Sequence, residues 1–555
     1  MDLVLDIIER ASDHDAPLAA VAAGRDTIEP PDDHDASKAA VASLRNEIAA
    51  RLACARSAQP AWRNTPVKHR ARVVERFRQL AYRDRSDIAL TVTRETGKPL
   101  AESFVADVTM ALEGARFLAR IAEDTLAPVR MRSATLAAWR KVITTHRDPF
   151  GVVAVVSPWN YPFFFPAMHC MTALIAGNAV ILKPSEHTPA CAEILAKLLH
   201  DAGVPRDVFQ LLPGDGRTGA ALVASDVDKV FFTGSESTGR RIAEACAPRF
   251  VPVSLELGGS DAAIVLDDAI LDVTASGIVW GRFTNAGQTC AAVKRVIALD
   301  AVHDSLVRRI VHIASQLVGG TDVAPLITAV QHATLAAQLD DALARGATVA
   351  LRHDIGSTDR SAPIVVLTNV SPSMRVWHEE TFGPVLAIAR AASEDEAIAM
   401  ANETRYGLSA SIWSGNRARA RRLAGRIEAG AIVLNDSVIA AGLAEVPHGG
   451  VKASGMGRIH GVEGLRECTR TRTVVDDRLP WLRQPWWFGY GARSATNLDA
   501  YLRLTHGRSI VDRLKTSFDR ATLTTLSCIF IGKNSSRKLS SLRQRPFCRA
   551  SNLNP

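Results

Sequence analysis

Long apolar runs, paired cysteines and acidic residues near the C-terminal end are what this sequence of 555 residues lacks. No uninterrupted apolar stretch approaches the roughly 18 residues that cross a bilayer, so no membrane span is expected. The eight cysteines, at 54, 170, 191, 246, 290, 468, 528 and 548, make no C-x-x-C pair and no other metal-ligand spacing. Reduced thiols in a cytoplasmic protein, with no metal site, are the expectation. Asp2, Asp6, Glu9, Asp13 and Asp15 at the start fit neither a basic-then-apolar leader nor an acidic-poor transit peptide. Residues 521–555 hold no Asp or Glu, while Lys533, Arg537, Lys538, Arg543, Arg545 and Arg549 supply +6 of the net +8. The remaining 520 residues carry only +2, too little to draw a polyanion to the body. A nucleic-acid partner is therefore expected only if the basic tail recruits one.

What is present is an ordinary globular composition, 47% hydrophobic and 22% charged, in a chain long enough for two or three domains. Residues 1–35 read as a variable lead-in. Residues 36 to about 125 read as helical; over Arg72–Arg85, Val73, Val74, Phe77, Leu80 and Ala81 recur at the spacing of a core-facing helical stripe. After Pro149 come short, continuously apolar runs: Val152–Val156, Ala179–Leu182, Val208–Leu212, Val230–Phe232, Val253–Leu255 and Ala262–Leu266. Strands covered on both faces read this way, which means a parallel α/β sheet. A helix over Thr188–Gly203 separates two of them, and the alternation is that of a doubly wound, Rossmann-type nucleotide-binding fold. A second α/β run follows residue 290, with helices near 302–317, 330–345, 394–403 and 416–428. Beyond about 495 the signals thin out.

Three residues could carry chemistry. Cys290 lies in FTNAGQTCAAVKR, and a thiolate is the best side-chain nucleophile toward a carbonyl carbon. A lone cysteine is more often a buried structural thiol, but Asn285, Gly287 and Gln288 give this one a polar, turn-like approach. Glu256 ends an apolar strand before Gly258-Gly259; partial desolvation there would raise its pKa toward that of a general base, unless it simply faces solvent. Asn160, in SPWNYP, can donate two hydrogens to an oxyanion without carrying charge, or can be a turn residue between prolines. FTGSESTG at 232–239 lacks the GxGxxG fingerprint, yet Gly234 and Ser235 would open a helix whose N-terminus suits a phosphate. Lys183-Pro184-Ser185-Glu186 adds a cation and a carboxylate for ribose hydroxyls.

Taken in order, SPWNYP, KPSE, FTGS, LELGG, GQTC, EETFGPV at 379–385 and GGVKASGMGR at 449–458 resemble the NAD(P)-dependent aldehyde dehydrogenase superfamily over most of residues 40–475. The resemblance implies an α/β fold with a Rossmann-type cofactor domain (36–127 and 148–257), a second α/β catalytic domain (258–445) and a small bridging β hairpin (128–147, with 446–480). Residues 481–555 would be a C-terminal extension ending in the basic tail. It also implies roles: Cys290 as nucleophile, Glu256 as the base that activates the deacylating water, and Asn160 with the Cys290 N–H as oxyanion hole. Trp159, Lys183, Ser185, Glu186, Gly234, Ser235, Gly258, Glu380 and Phe382 would bind the cofactor. A carboxylate at Glu186 would repel a 2′-phosphate, so NAD is favoured, with NADP possible. The expected reaction is oxidation of an aldehyde to an acid through a thiohemiacetal and thioester, in a homodimer or homotetramer. An acylating enzyme that passes the thioester to coenzyme A, and a non-catalytic scaffold or nucleic-acid binder, are the alternatives. Tyr161, Phe165 and His448 are candidate pocket residues; the aromatics around 159–165 favour an aliphatic or aromatic aldehyde over a charged one, or else are core. Three positions depart from the family pattern: His169 where many members have Lys, His448 where many have Phe, and Ile459 where many have Glu.

Overall fold

The structure is a computed structural model describing residues 34–507, apart from 136–137, 357–359, 485 and 492–493. The lead-in through residue 33 and the basic tail lie outside the described residues. Among the described residues two compact units emerge, one drawn from those up to Leu126 together with Asp148–Arg470, the other from Ala127–Arg147 together with those from Thr471 onward. No described helix is long and apolar enough to cross a membrane.

The large unit contains two sheets. In the first, the spatial order is Gly455–Met456, Val253–Glu256, Lys229–Thr233, Val152–Val156, Ala179–Lys183, Phe209–Leu211. Every neighbouring pair is parallel except the first, where Gly455 and Met456 run antiparallel to Glu256 and Leu255. Val-Val-Ala-Val-Val at 152–156 shows why: with no polar residue to face water, the strand must be covered on both sides, which helical crossovers achieve. The chain enters at Val152–Val156, winds outward through two strands, then returns to lay Lys229–Thr233 on the other side. Between those two central strands the winding reverses, and such a switch point opens a crevice at the carboxyl ends. The segments leaving them are Ser157–Asn160 and Gly234–Ser235.

Helices cover this sheet where the apolar spacing calls for them. Val67–Arg83 buries Val73, Val74, Phe77 and Ala81, and Pro189–Ala202 stops at Gly203, whose φ of +110° ends the helix. Phe164–Ala176 is buried along its whole length.

The second sheet has the order Thr348–His353, Ile364–Thr368, Val385–Ala391, Val293–Leu299, Asp261–Val265, Ser409–Trp413, Ala431–Leu434. Only its outermost pair, Thr348–His353 with Ile364–Thr368, is antiparallel. Thus the apolar run at 262–266 does not continue the first sheet; Leu257–Ser260 carry the chain out of one sheet and into the other.

In the small unit, Val129–Arg132 pairs antiparallel with Lys141–Pro149, and Thr469–Asp477 adds a third strand. Arg140 and Lys141 both engage Asp477, at 3.2 and 2.8 Å. Residues 446–470, grouped by sequence with this hairpin, belong instead to the large unit. The reason is local: Gly455–Met456 completes the first sheet, and Gly461–Glu467 packs on the helices Met110–Leu126 and Phe164–Ala176.

Candidate active site

The helix Leu271–Phe283 ends in a turn of unusual backbone. Asn285, Ala286 and Gly287 are consecutively left-handed, with φ of 50°, 54° and 75°. For an alanine this costs about 1 kcal/mol or more, so surrounding bonds must fix it. Asn285 Nδ2 donates to Asn160 O at 3.0 Å and to Gln288 O at 3.3 Å. Gln288 Nε2 donates to Asn285 O and Pro325 O, and its Oε1 accepts from Ile327 N at 2.9 Å. A Cβ on Gly287 would stand 2.5 Å from Gly383 O, so only glycine passes there. The result is a rigid arch that delivers Thr289 and Cys290.

Asn160 reaches the same arch from the first sheet: its Nδ2 donates to Gln288 O at 3.0 Å, and Tyr161 Oη bonds Thr289 Oγ1 at 2.6 Å. Cys290 is partly exposed and opens into a cavity of about 630 Å³ whose wall includes Tyr161, Phe164 and Phe165. Burial of the surrounding loop pushes its thiol up to about 12, with Lys294 pulling the other way and Glu380, Asp261 and Glu256 adding to the rise.

Glu256 does not face solvent. It is buried, and neither carboxylate oxygen has a hydrogen-bond partner among the described residues. Desolvation therefore holds its pKa well above the usual carboxylate range, although Arg458 acts in the opposite sense. Gly449 makes room for it, since a Cβ there would come within 2.9 Å of Oε1. Glu256 thus acts electrostatically on the Cys290 sulfur, and the Asn160 amide bonds the arch that delivers it, although the three residues are separated by up to 130 positions in the chain.

A second cavity of about 310 Å³ occupies the crevice at the switch point, lined by Trp159, Lys183, Ser185, Glu186, Gly234 and Arg241 among others. Lys183 Nζ lies 3.1 Å from Glu186 Oε2. Ser235 caps the helix Glu236–Cys246, its Oγ accepting from Thr238 N at 3.3 Å. Ser157 Oγ and Thr233 Oγ1 are buried without a hydrogen-bond partner among the described residues. Toward Cys290, Glu380 accepts from Gly259 N at 3.2 Å and presses against Gly258, while Phe382 meets Trp159 edge-on at 5.6 Å. A crevice with a helix N-terminus, a ribose-sized acid–base pair and orphaned hydroxyls fits an adenine dinucleotide.

Residues 21–474 match the family model described as the aldehyde dehydrogenase family. The chain belongs to that family. It is 39% identical, over 79% of its length and 86% of the relative's, to a Mycolicibacterium smegmatis protein provisionally named succinate-semialdehyde dehydrogenase (NADP+). It is 34% identical to a Methylomonas protein named 4,4'-diapolycopene aldehyde oxidase, over 83% and 87% of the two chains. The crystal structure of an NAD-dependent aldehyde dehydrogenase from Sinorhizobium meliloti superposes with a TM-score of 0.76 at 31% identity, covering 80% and 89%. The protein is an aldehyde dehydrogenase that transfers hydride to NAD or NADP.

Several groups in the dehydrogenase site escaped the sequence reading. Lys294 is buried, donates to the carbonyls of Thr289 (2.8 Å) and Cys290, and stands 3.8 Å from Glu380 Oε1; its only signal was its place in the cysteine motif. Lys98 and Asp107 form a wholly buried pair at 2.7 Å. Asp107 Oδ1 accepts from Phe163 N and Phe164 N, both at 3.1 Å, and Lys98 Nζ lies 4.0 Å over the Tyr161 ring. Arg241 in the dinucleotide crevice was also missed.

His448, expected as a pocket residue, is not in the cavity wall. Behind Phe164 and Phe165 three buried imidazoles gather instead: the rings of His448 and His460 stack at 6.1 Å, His460 meets Phe164 at 5.5 Å, and His169 stacks on Phe165 at 6.3 Å. Burial holds His169 and His448 down to about 4 and His460 well below its ordinary value, with Arg458 and the neighbouring imidazoles adding to the depression. Ile459 joins them through its backbone, exchanging two 2.8 Å hydrogen bonds with His448. Tyr161 and Phe165 do line the cavity.

Proposed function

We propose that Cys290 is the nucleophile, Glu256 the general base, and Asn160 Nδ2 with the Cys290 N–H the oxyanion hole of this dehydrogenase. The observation that carries the reading is a partly exposed sulfur in the wall of an aldehyde-sized cavity, within electrostatic reach of a buried carboxylate free of hydrogen bonds among the described residues. The thiol loses its proton to solvent water and the sulfur bonds to the carbonyl carbon, whose π electron pair moves to an oxygen held by the two donors. Collapse of this adduct expels the aldehydic hydrogen with its electron pair and leaves a thioester. NAD(P), when bound, supplies the acceptor for that hydride. Glu256 then takes a proton from water as its oxygen attacks the thioester, releasing the acid and restoring the thiolate.

Lys183, Ser185 and Glu186 would hold the adenosine ribose, Gly234 and Ser235 the pyrophosphate, Glu380 the second ribose, and Trp159, Gly258 and Phe382 the nicotinamide side. The Glu186 carboxylate favours NAD, while Arg241 in the same crevice offers a cation to a 2′-phosphate and makes NADP the second choice. A poised water-activating base speaks against obligatory transfer to coenzyme A. Exposed Val129, Met131, Val474 and Val475 on the small sheet support assembly into a homodimer or homotetramer through that surface. Six free cysteines among the described residues suit a reducing, cytoplasmic setting.

The test is an aldehyde panel with NAD and NADP supplied separately and coenzyme A omitted, followed by NAD(P)H absorbance. Steady turnover is expected, with a loss of at least about a thousandfold in Cys290→Ser; undiminished turnover in that variant would remove the sulfur from the mechanism.

A further inference from the structure

The cavity into which Cys290 opens is defined as much by its missing charges as by its shape. Val105, Met110, Val279, Trp280, Leu317 and Val438 supply much of its wall, and no Lys or Arg is among the residues lining it. Its ionisable carboxyl groups are Glu102 and Asp322. Glu102 receives the Thr284 hydroxyl at 3.0 Å, and burial raises its pKa; Asp322 is turned to the Val318 N–H at 2.8 Å. None of the cations buried nearby lines the cavity: Lys98 pairs with Asp107, Lys294 donates to the carbonyls of Thr289 and Cys290, and Arg282 donates through Nη2 alone to those of Thr381 and Gly383. At the mouth, Val105 and Trp280 stay 56% and 48% exposed, so the apolar surface continues outward from the sulfur to solvent.

We infer that this dehydrogenase acts on uncharged aldehydes with a bulky apolar chain and discriminates against those ending in a carboxylate. The inference rests on the proposed role of Cys290, which fixes the aldehyde carbon at the sulfur. A chain extending from that carbon lies along aliphatic and aromatic walls, each methylene leaving water for an apolar surface. A terminal carboxylate in the same channel would shed its hydration, meet no compensating cation, and face Glu102.

The experiment uses the full-length enzyme with propanal, hexanal, decanal and succinate semialdehyde, measuring kcat/KM with NAD and with NADP. From propanal to hexanal kcat/KM should rise by about threefold to fourfold per methylene, the factor set by burying one such group. Succinate semialdehyde should fall at least about a hundredfold below hexanal, as expected for a carboxylate desolvated without a partner. Equal or better use of succinate semialdehyde would overturn the inference while leaving the Cys290 chemistry intact. Absence of turnover with every aldehyde, or turnover that survives Cys290→Ser, would overturn the mechanism and the inference with it. Val105→Arg places a cation on the exposed rim, where the fold should tolerate it. It should raise the ratio of succinate semialdehyde to hexanal kcat/KM at least about fivefold; an unmoved ratio would overturn the claim that the missing cation sets the preference. As a readout free of catalysis, decanoate should raise the melting temperature of Cys290→Ser and succinate at the same concentration should not. The reverse order would contradict the inference.

Discussion

Glu256 stands at the end of a strand where a carboxylate could have turned to water, yet it points inward with both oxygens unbonded among the described residues. A carboxyl group kept so dry is protonated over a wider pH range and becomes a competent base only once its proton is lost. Two outcomes follow for kinetics. Glu256→Gln should retain a single-turnover burst of about one NADH per active site, while steady-state kcat falls by about a hundredfold to ten-thousandfold, because only thioester hydrolysis needs the base. Wild-type kcat should climb as pH rises through the elevated Glu256 pKa, and the variant should lose that climb. Stopped-flow absorbance over a pH series reads both. The nature of these residues was legible in the sequence: a cysteine after Gly-Gln-Thr, a glutamate before two glycines and an asparagine in a proline-bounded turn announce themselves by type. Their surroundings were not. Lys294 and Arg241 look in one dimension like ordinary surface cations, and only tertiary contacts turn the first into a buried donor beside the thiol.

At the scale of elements, the site depends on a brace built from the helical N-terminal region. Asp107 lies in the π-helical turn Phe104–Thr109 and receives the main-chain N–H groups that open the helix Phe164–Ala176, immediately after Asn160 and Tyr161. Lys98 neutralises it at 2.7 Å. Asp107→Ala would strand a buried ammonium and leave two N–H groups unanswered, and should cost about 3–5 kcal/mol in urea denaturation. The strands themselves were legible because continuous Val, Ile and Phe runs have few alternatives to a doubly covered sheet. Which sheet a run joins was less so. Only the glycine-rich link between Glu256 and Asp261 separates the last strand of one from a central strand of the other, and hydrophobicity is blind to that boundary. The short Gly455–Met456 strand carries almost no pattern of its own, and its pairing with Leu255 and Glu256 follows from the site rather than from propensity.

For the whole molecule, the buried imidazoles make stability depend on acidity. His169 and His448 sit at about 4, below the roughly 6.5 they would have when unfolded. Between those values the unfolded chain binds more protons than the fold, so their contribution is intact above about pH 6.5 and declines as pH falls toward 4. Glu256, Glu380 and Asp261, with raised pKa values, act with the opposite sign and lose stabilising power as pH rises. A comparison with a variant isolates the histidine share: relative to wild type, His169→Phe/His448→Phe should gain melting temperature progressively from pH 6.5 to 4. The gain corresponds to roughly 3 kcal/mol for each histidine. No spacing rule could have gathered residues 169, 448 and 460; they meet because a helix from the first sheet and the loop after Val446 wrap the same aromatic wall.

One main-chain bond reaches further than its length of 3.0 Å suggests: the amide of Gly234 donates to the carbonyl oxygen of Glu256. The turn that would cradle the pyrophosphate and the strand that presents the base are therefore stitched edge to edge by the sheet itself. Any tilt of one as the crevice fills is felt by the other mechanically, with no side chain in between.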